Sequence, residues 1–101
     1  MSFTEVAKVV DIPAGSMKSF TLNGNEILVA NYNGNYYAIA NRCTHFKGDL
    51  SKGKLDGNIV TCPRHGSKFD ITNGKRISGP AKNDETTYEV KVEGPAIKIN
   101  I

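Results

Sequence analysis

Apolar and polar residues alternate in short stretches along most of the chain, and pairs of turn-forming residues separate these stretches. The alternation is clearest near the end, where Ile97, Ile99 and Ile101 share one face of a strand and polar residues occupy the other. Dipeptides that supply the positive φ angles of tight hairpins lie at Asn23-Gly24, Asn33-Gly34, Asp56-Gly57, Asn73-Gly74 and Glu93-Gly94. These signals predict strands at residues 4–10, 19–22, 26–32, 35–40, 58–61, 68–71, 86–92 and 96–100.

The pattern favours an all-β fold. Helical spacing is hard to find, and the one candidate turn, residues 46–51, is interrupted by Gly48. We therefore predict a small antiparallel β-sandwich or barrel of short strands. From about residue 41 to 83 the chain becomes rich in Gly, Lys, Asp and Pro and contains both cysteines and both histidines. We interpret this segment as a site-bearing subdomain of loops and hairpins, inserted into the β-sandwich of a single domain of residues 1–101.

Length and charge narrow the function classes. A chain of 101 residues has room for one domain, and 39% hydrophobic residues are enough for a folded core. The net charge is +3, but no basic run exceeds Lys75-Arg76, so a nucleic-acid partner is not expected. No apolar run could cross a bilayer, and residues 1–5 lack the features of a signal peptide. We expect a soluble protein of the cytoplasm without membrane contact.

Candidate chemistry is concentrated in two short motifs. The first is Cys43-Thr44-His45, and after sixteen intervening residues comes Cys62-Pro63-Arg64-His65. A hairpin through Asp56-Gly57 would return the second motif beside the first. A structural zinc ion would accept two thiolates and two imidazoles, whereas a single copper or iron site lacks a suitable Met or carboxylate. A two-iron, two-sulfide cluster divides the ligands naturally, with the cysteines on one iron and the histidines on the other.

These residues resemble the Rieske proteins, and especially the small Rieske-type ferredoxins that serve oxygenases. The resemblance is close over residues 41–81, through both Cys/His motifs, the run Gly66-Ser67-Lys68-Phe69-Asp70 and the segment Gly79-Pro80-Ala81. It implies one Rieske [2Fe–2S] cluster held by Cys43, His45, Cys62 and His65. The expected surroundings of the cluster are Phe46, Lys47, Gly48, Pro63, Gly66, Ser67, Phe69, Gly79 and Pro80.

Two departures from the family concern the reduction potential. Rieske subunits of respiratory complexes carry a further cysteine in each loop, and this chain has no third cysteine. Those subunits also donate serine and tyrosine hydroxyls to the cluster and a cysteine sulfur, whereas this chain keeps Ser67 but has Phe69 at the second position. Fewer donors stabilise the reduced cluster less, so we predict a potential toward the low end of the Rieske range, which begins at about −150 mV.

The resemblance implies a one-electron carrier rather than a complete enzyme. It would take an electron from a flavin-dependent reductase and pass it to a terminal acceptor such as an oxygenase. Two alternatives stay open: an accessory Rieske subunit of a larger reductase, and a zinc-stabilised interaction domain. We expect a monomer, with a cationic rim that orients an acidic redox partner. The candidate rim residues are Arg42, Lys47, Arg64 and Lys68.

Overall fold

The computed structural model describes residues 3–43, 48–64 and 66–101. The strands in chain order are β1 (Phe3–Lys8), β2 (Met17–Leu22), β3 (Asn25–Tyr32), β4 (Asn35–Ala40), β5 (Lys54–Asp56), β6 (Ile59–Thr61), β7 (Lys68–Asp70), β8 (Arg76–Ser78), β9 (Thr87–Tyr88), β10 (Val90–Glu93) and β11 (Ala96–Asn100). Short 3₁₀ turns lie at Val9–Asp11 and Leu50–Lys52. None of the helical segments in the described part is long and apolar enough to cross a membrane.

The strands form three antiparallel sheets, which confirms the all-β prediction. Their strand orders are β1-β11-β10, β2-β3-β4-β9 and β5-β6-β7-β8. The second sheet is the middle layer, because β3 is buried on both faces. Ile27 and Val29 pack in one buried cluster with Ile97 and Ile99 of β11, whereas Leu28 of β3 belongs to a second cluster on the opposite face. Strands buried on both faces have continuous apolar runs rather than alternating ones.

The second cluster joins the middle sheet to the β5–β8 sheet, and it contains both cysteines. Its buried residues are Leu28, Ala30, Ile39, Cys43, Leu50, Val60, Cys62, Phe69, Ile71 and Ala81. The candidate chemistry therefore lies where the β5–β8 sheet packs against the middle layer. The apolar residues that hold these two layers together also surround the two thiols.

Most predicted strands are confirmed, with differences at their ends. The Asn-Gly pairs at residues 23–24 and 33–34 connect β2–β3 and β3–β4. The predicted hairpin through Asp56-Gly57 is also present, since Asp56 pairs with Ile59 across the turn. The prediction missed β5 and β8 as strands and did not foresee the break in residues 86–92 at Glu89. Both missed strands are three residues long and contain one apolar residue each, so their alternation is too short to be recognised.

Candidate metal centre

The two cysteines occupy equivalent positions in two loops, here called loop 1 (residues 43–48) and loop 2 (residues 62–67). In each loop the cysteine N–H donates to the carbonyl of the residue five positions later. The distance is 2.8 Å from Cys43 to Gly48 and 2.8 Å from Cys62 to Ser67. Neither cysteine is in a disulfide, and each has only 2% of its surface exposed. Each loop therefore has one buried cysteine at its base. We call this base, which the backbone hydrogen bond from the cysteine closes, the neck of the loop.

Gly48 brings the two loops into contact. A Cβ at this position would lie 2.6 Å from the Sγ of Cys62 and 3.0 Å from the Cγ of Arg64. Gly48 does not have a positive φ angle, so the backbone itself does not require glycine there. The requirement is space: the backbone of loop 1 approaches the sulfur of loop 2 where no side chain would fit.

A third segment packs against loop 2. Gly79 has a φ of 97°, and a Cβ there would lie 2.5 Å from the Cα of Ser67. The N–H of Ala81 donates to the Oγ of Ser67 at 3.0 Å. Ser67 is 1% exposed, and because its oxygen accepts this bond, its own hydroxyl proton can be donated to another acceptor. The segment that contains Pro80 thus fixes the rotamer of a buried hydroxyl at the neck of loop 2.

A buried polar network supports loop 1 from behind. Asn41 is fully buried and donates from Nδ2 to the Oδ1 of Asp49 at 2.8 Å. Ser51 donates to the same oxygen from its hydroxyl and its backbone N–H, at 2.5 and 3.1 Å. Partial burial raises the pKa of Asp49, but the hydrogen bonds from Ser51 and Asn41 outweigh burial and hold the pKa below its ordinary value. This network was not predicted from the sequence, where its only signal is Asp49-Leu50-Ser51, a short pattern typical of local turns.

The predicted cationic rim is only partly available to a partner. Arg42 forms a two-pronged ion pair with Glu26, at 2.7 Å from Nε and 2.9 Å from Nη2. These hydrogen bonds raise the pKa of Arg42 above its ordinary value and offset its charge. Arg64 and Lys68 are exposed beside loop 2. Lys68 also lines a groove of about 350 Å³ on the outer face of the β5–β8 sheet. The other residues of this groove are Lys54, Asp56, Ile59, Thr61 and Ile77.

Several candidate site residues lie outside the described part of the chain, namely His45, Phe46, Lys47 and His65. Among the described ones, Phe69 is fully buried in the cluster that contains both thiols. Pro63 and Pro80 are exposed, and Gly66 takes a φ of 77° with open space around it. The structure therefore brings Cys43, Gly48, Cys62, Ser67, Phe69 and Gly79 together at the site.

The donor set of this site fits an iron–sulfur cluster. Two buried thiols from facing loops can provide the two thiolates that one iron of a Rieske cluster requires. The close approach of the Gly48 backbone to the sulfur of Cys62, which only glycine allows, belongs to the same site. Neither cysteine is in a disulfide.

Comparison with known proteins agrees with this chemistry. The family model of the Rieske [2Fe–2S] domain matches residues 2–92. The ferredoxin component of the naphthalene 1,2-dioxygenase/salicylate 5-hydroxylase systems of Ralstonia sp is 34% identical over 100 residues, which are 99% of this chain and 96% of that protein. The ferredoxin of carbazole 1,9a-dioxygenase from Nocardioides aromaticivorans IC177 superimposes with a TM-score of 0.93 at 27% identity, over 98% and 97% of the two chains.

A second solved structure contains an assembly. A chain from a complex of reduced oxygenase and oxidized ferredoxin in carbazole 1,9a-dioxygenase superimposes with a TM-score of 0.91 at 28% identity, covering 96% of this chain and 91% of that one. The family match also decides between the metals that the ligand pattern left open, because it specifies a two-iron cluster and not zinc. The chain belongs to the Rieske [2Fe–2S] family, and it is a Rieske-type ferredoxin that transfers electrons with a [2Fe–2S] cluster.

Proposed function

We propose that Cys43 and Cys62 ligate one iron of the cluster and that His45 and His65 ligate the other. The observation that carries this assignment is the equivalence of the two loops, each with a buried cysteine above the same neck hydrogen bond. We further propose that residues 41–83 form the cluster-binding subdomain within one domain of residues 1–101. In support, the whole β5–β8 sheet lies inside that segment.

The bound cluster supplies a site that gains and loses one electron. The protein's own residues give that site its surroundings. The apolar cluster around Leu50, Val60 and Phe69 keeps water from the cysteine sulfurs, and Gly48 lets the loop 1 backbone lie against one of them. Ser67 is the one hydroxyl of the expected pair, because Phe69 has none to donate. We therefore propose a reduction potential toward the low end of the Rieske range.

A terminal oxygenase is the proposed electron acceptor, and a flavin-dependent reductase is the proposed donor. The acceptor is supported by the similar ferredoxin chain that is found in complex with an oxygenase. In this reading the chain is a monomeric component of an oxidoreductase system and not an enzyme alone. The two cysteines form no disulfide, which agrees with a reducing compartment such as the cytoplasm.

The partner is proposed to meet a positively charged end of the molecule. Residues 41–83 contain nine basic and three acidic residues, a net charge of +6, while the rest of the chain has four basic and seven acidic residues, a net charge of −3. Two of the three acidic residues, Asp49 and Asp70, accept hydrogen bonds from their own neighbours. Such a charge separation orients an acidic partner toward the cluster. The contact residues are proposed to be Arg64 and Lys68, with Lys47 and the partly neutralised Arg42 beside them.

Purification and reconstitution test these assignments together. The protein is expected to be coloured, to contain two irons and two sulfides per chain, and to show the EPR signature of mixed cysteine and histidine ligation when reduced. Serine at either cysteine position should abolish the chromophore. The reduced protein should then pass electrons to a dioxygenase-system oxygenase when a flavin reductase and NADH are supplied. Full chromophore in the His45→Ala or His65→Ala variant would contradict the ligand assignment. Copurification with a reductase subunit in fixed ratio would favour the accessory-subunit alternative.

A further inference from the structure

Two matching hydrogen-bond networks, here called network 1 and network 2, lie behind the two cysteine loops. In network 1 the Asn41 side chain donates to Asp49, and the Asn41 carbonyl accepts the N–H of Leu50 at 2.9 Å. The Asp49 carboxylate also accepts both donors of Ser51. Leu50, between the two polar residues, is fully buried in the cluster that contains both thiols.

Network 2 repeats most of these contacts with different residues. The Asn58 side chain hydrogen bonds to Asp70, and the Asn58 carbonyl accepts the N–H of Ile71 at 2.9 Å. The Asp70 carboxylate accepts the N–H and the hydroxyl of Thr72, at 2.9 and 2.6 Å. Ile71 is buried in the same apolar cluster as Leu50. The two networks thus share a carboxylate that accepts both donors of a nearby hydroxyl residue, and a buried apolar anchor. They differ in that the N–H of Ser51 also donates to the Oδ1 of Asn41 at 3.0 Å, and in that Asn58 is only half-buried.

The networks differ in their distance from the loop that each supports. Asn41 stands two residues before Cys43, and Asp49 directly follows Gly48, the last residue of loop 1. The bridge between Arg42 and Asp49 is the only pairing that the described residues place between network 1 and the neck hydrogen bond. Network 2 is farther away, because two residue pairs of the β6–β7 ladder, Val60–Phe69 and Thr61–Lys68, lie between Asp70 and loop 2. Network 1 is therefore adjacent to the neck that contains Cys43, whereas the ladder lies between network 2 and Cys62.

We propose that Asp49 is a positioning residue for the cluster. It holds the neck of loop 1 closed and thereby fixes the Cys43 sulfur relative to loop 2, while its counterpart Asp70 stabilises the fold only. The inference rests on the proposed ligation by Cys43. Burial and hydrogen bonding around the sulfurs set the potential of an iron–sulfur cluster, so a loosened loop 1 changes that potential.

Matched substitutions at the two positions test the proposal on the intact protein. The variants are Asp49→Asn, which removes the charge, and Asp49→Glu, which moves the carboxylate, with Asp70→Asn and Asp70→Glu as controls that make the same changes at the matching position. Hydrogen exchange by mass spectrometry follows peptides that cover residues 41–50. EPR and redox titration follow the bound cluster. We expect exchange in loop 1 to rise about tenfold in both Asp49 variants, together with altered g-values and a shifted potential. Both Asp70 variants should keep the wild-type exchange of residues 41–50 and the wild-type EPR spectrum.

Two results would overturn the proposal. One is equal spectral change in the Asp49 and Asp70 variants. The other is a wild-type spectrum in Asp49→Glu beside a changed one in Asp49→Asn, because charge alone would then be the cause. If the Asp49 variants fail to fold, Ser51→Ala and its match Thr72→Ala each remove a single hydroxyl donor, and only the first should alter exchange and EPR. Exchange in loop 1 does not depend on which residues bind the cluster, so failure of the ligand assignment, tested with Cys43→Ser, is distinguishable.

Discussion

Gly48 lies against the sulfur of Cys62 so closely that a Cβ at residue 48 would be 2.6 Å from Sγ. The contact joins loop 1 to the thiol of loop 2, although the two residues are fourteen positions apart in the sequence. A ligand sulfur held against the backbone of the opposite loop cannot move without moving that loop. The two halves of the site are therefore placed by one another as well as by the sheets beneath them.

Substitution of Gly48 by Ala is expected to displace the Cys62 sulfur and to lower the iron content of the purified protein. Overpacking of this kind typically costs about 1–3 kcal/mol. Iron per chain, visible absorbance and urea unfolding measure the effect. Gly34→Ala is the control, since Gly34 has a φ of 86° with open space around it. That variant should lose about 1–2 kcal/mol of stability, because its backbone is left-handed, and keep its full complement of iron. Equal iron content in both variants would contradict the prediction.

Substitution of Ser67 by Ala is expected to lower the reduction potential. The Oγ of Ser67 accepts from Ala81, which leaves the hydroxyl proton for a sulfur of the cluster. Loss of one such hydrogen bond is worth about 1 kcal/mol, or roughly 40 mV for one electron. Redox titration measures the shift, and Ser78→Ala on the exposed strand β8 provides the control. An unchanged potential in Ser67→Ala would mean that this hydroxyl does not reach the cluster.

Reversal of two charges beside loop 2 is expected to slow electron transfer from a flavin reductase. Arg64→Glu with Lys68→Glu should reduce the second-order rate constant about tenfold or more at low ionic strength. The difference in rate between this variant and the wild type should shrink at about 0.5 M salt, because salt screens exposed charges. Stopped-flow absorbance measures the rate. Lys8→Glu with Lys18→Glu makes the same change of net charge on exposed residues of β1 and β2. A similar slowing in that control would show that net charge, and not the surface beside loop 2, controls the encounter.

Acid is expected to destabilise the protein through Asp49 and Asp70. Partial burial raises the pKa of each carboxyl, but hydrogen bonds from Ser51 and Asn41, or from Thr72 and Asn58, outweigh it and lower both pKa values in the folded state. The stabilisation is present above the unfolded pKa of about 3.9 and is lost as the pH falls through the folded values. Urea unfolding followed by circular dichroism between pH 6 and 3 measures it.

In that experiment the double variant Asp49→Asn, Asp70→Asn should be less stable than the wild type at pH 6. Its stability should approach that of the wild type as the pH reaches 3, since both wild-type carboxyls then take up protons. Asp56→Asn changes an exposed carboxyl of β5 and should follow the wild-type curve. Parallel curves for the double variant and the wild type would contradict the assignment of the acid sensitivity to these two carboxyls.

Strand type and hairpin position were predictable wherever apolar alternation met a turn dipeptide. The alternation at Ile97 and Ile99 matches two fully buried side chains of β11, and the Asn-Gly pair at residues 33–34 forms the tight turn between β3 and β4. Residues 54–56 and 76–78 were not predicted as strands, because three residues with two polar side chains are too few to show such a pattern. Their pairing is decided by the neighbouring strands and not by their own sequence.

At the site, the two cysteines were predictable from ligand type and spacing, but their supporting contacts were not. Asn41 and Asp49 are ordinary polar residues eight positions apart, and nothing in their spacing shows that one is buried and hydrogen bonded to the other. The role of Glu26 was equally hidden, because its pairing with Arg42 depends on the register of β3. Long-range polar partners follow from the assembled fold, whereas metal ligands are recognisable from local motifs.

Strand β3 sends neighbouring residues into two separate cores, Ile27 toward β11 and Leu28 toward the thiols. The part of the molecule that contains the two cysteine loops consequently has no apolar core that is independent of β3. A peptide cut out around the two cysteine loops would leave Phe69 and Leu50 exposed to water. The cofactor-binding part could therefore be transferred to another protein only if that protein had a sheet shaped like this middle layer.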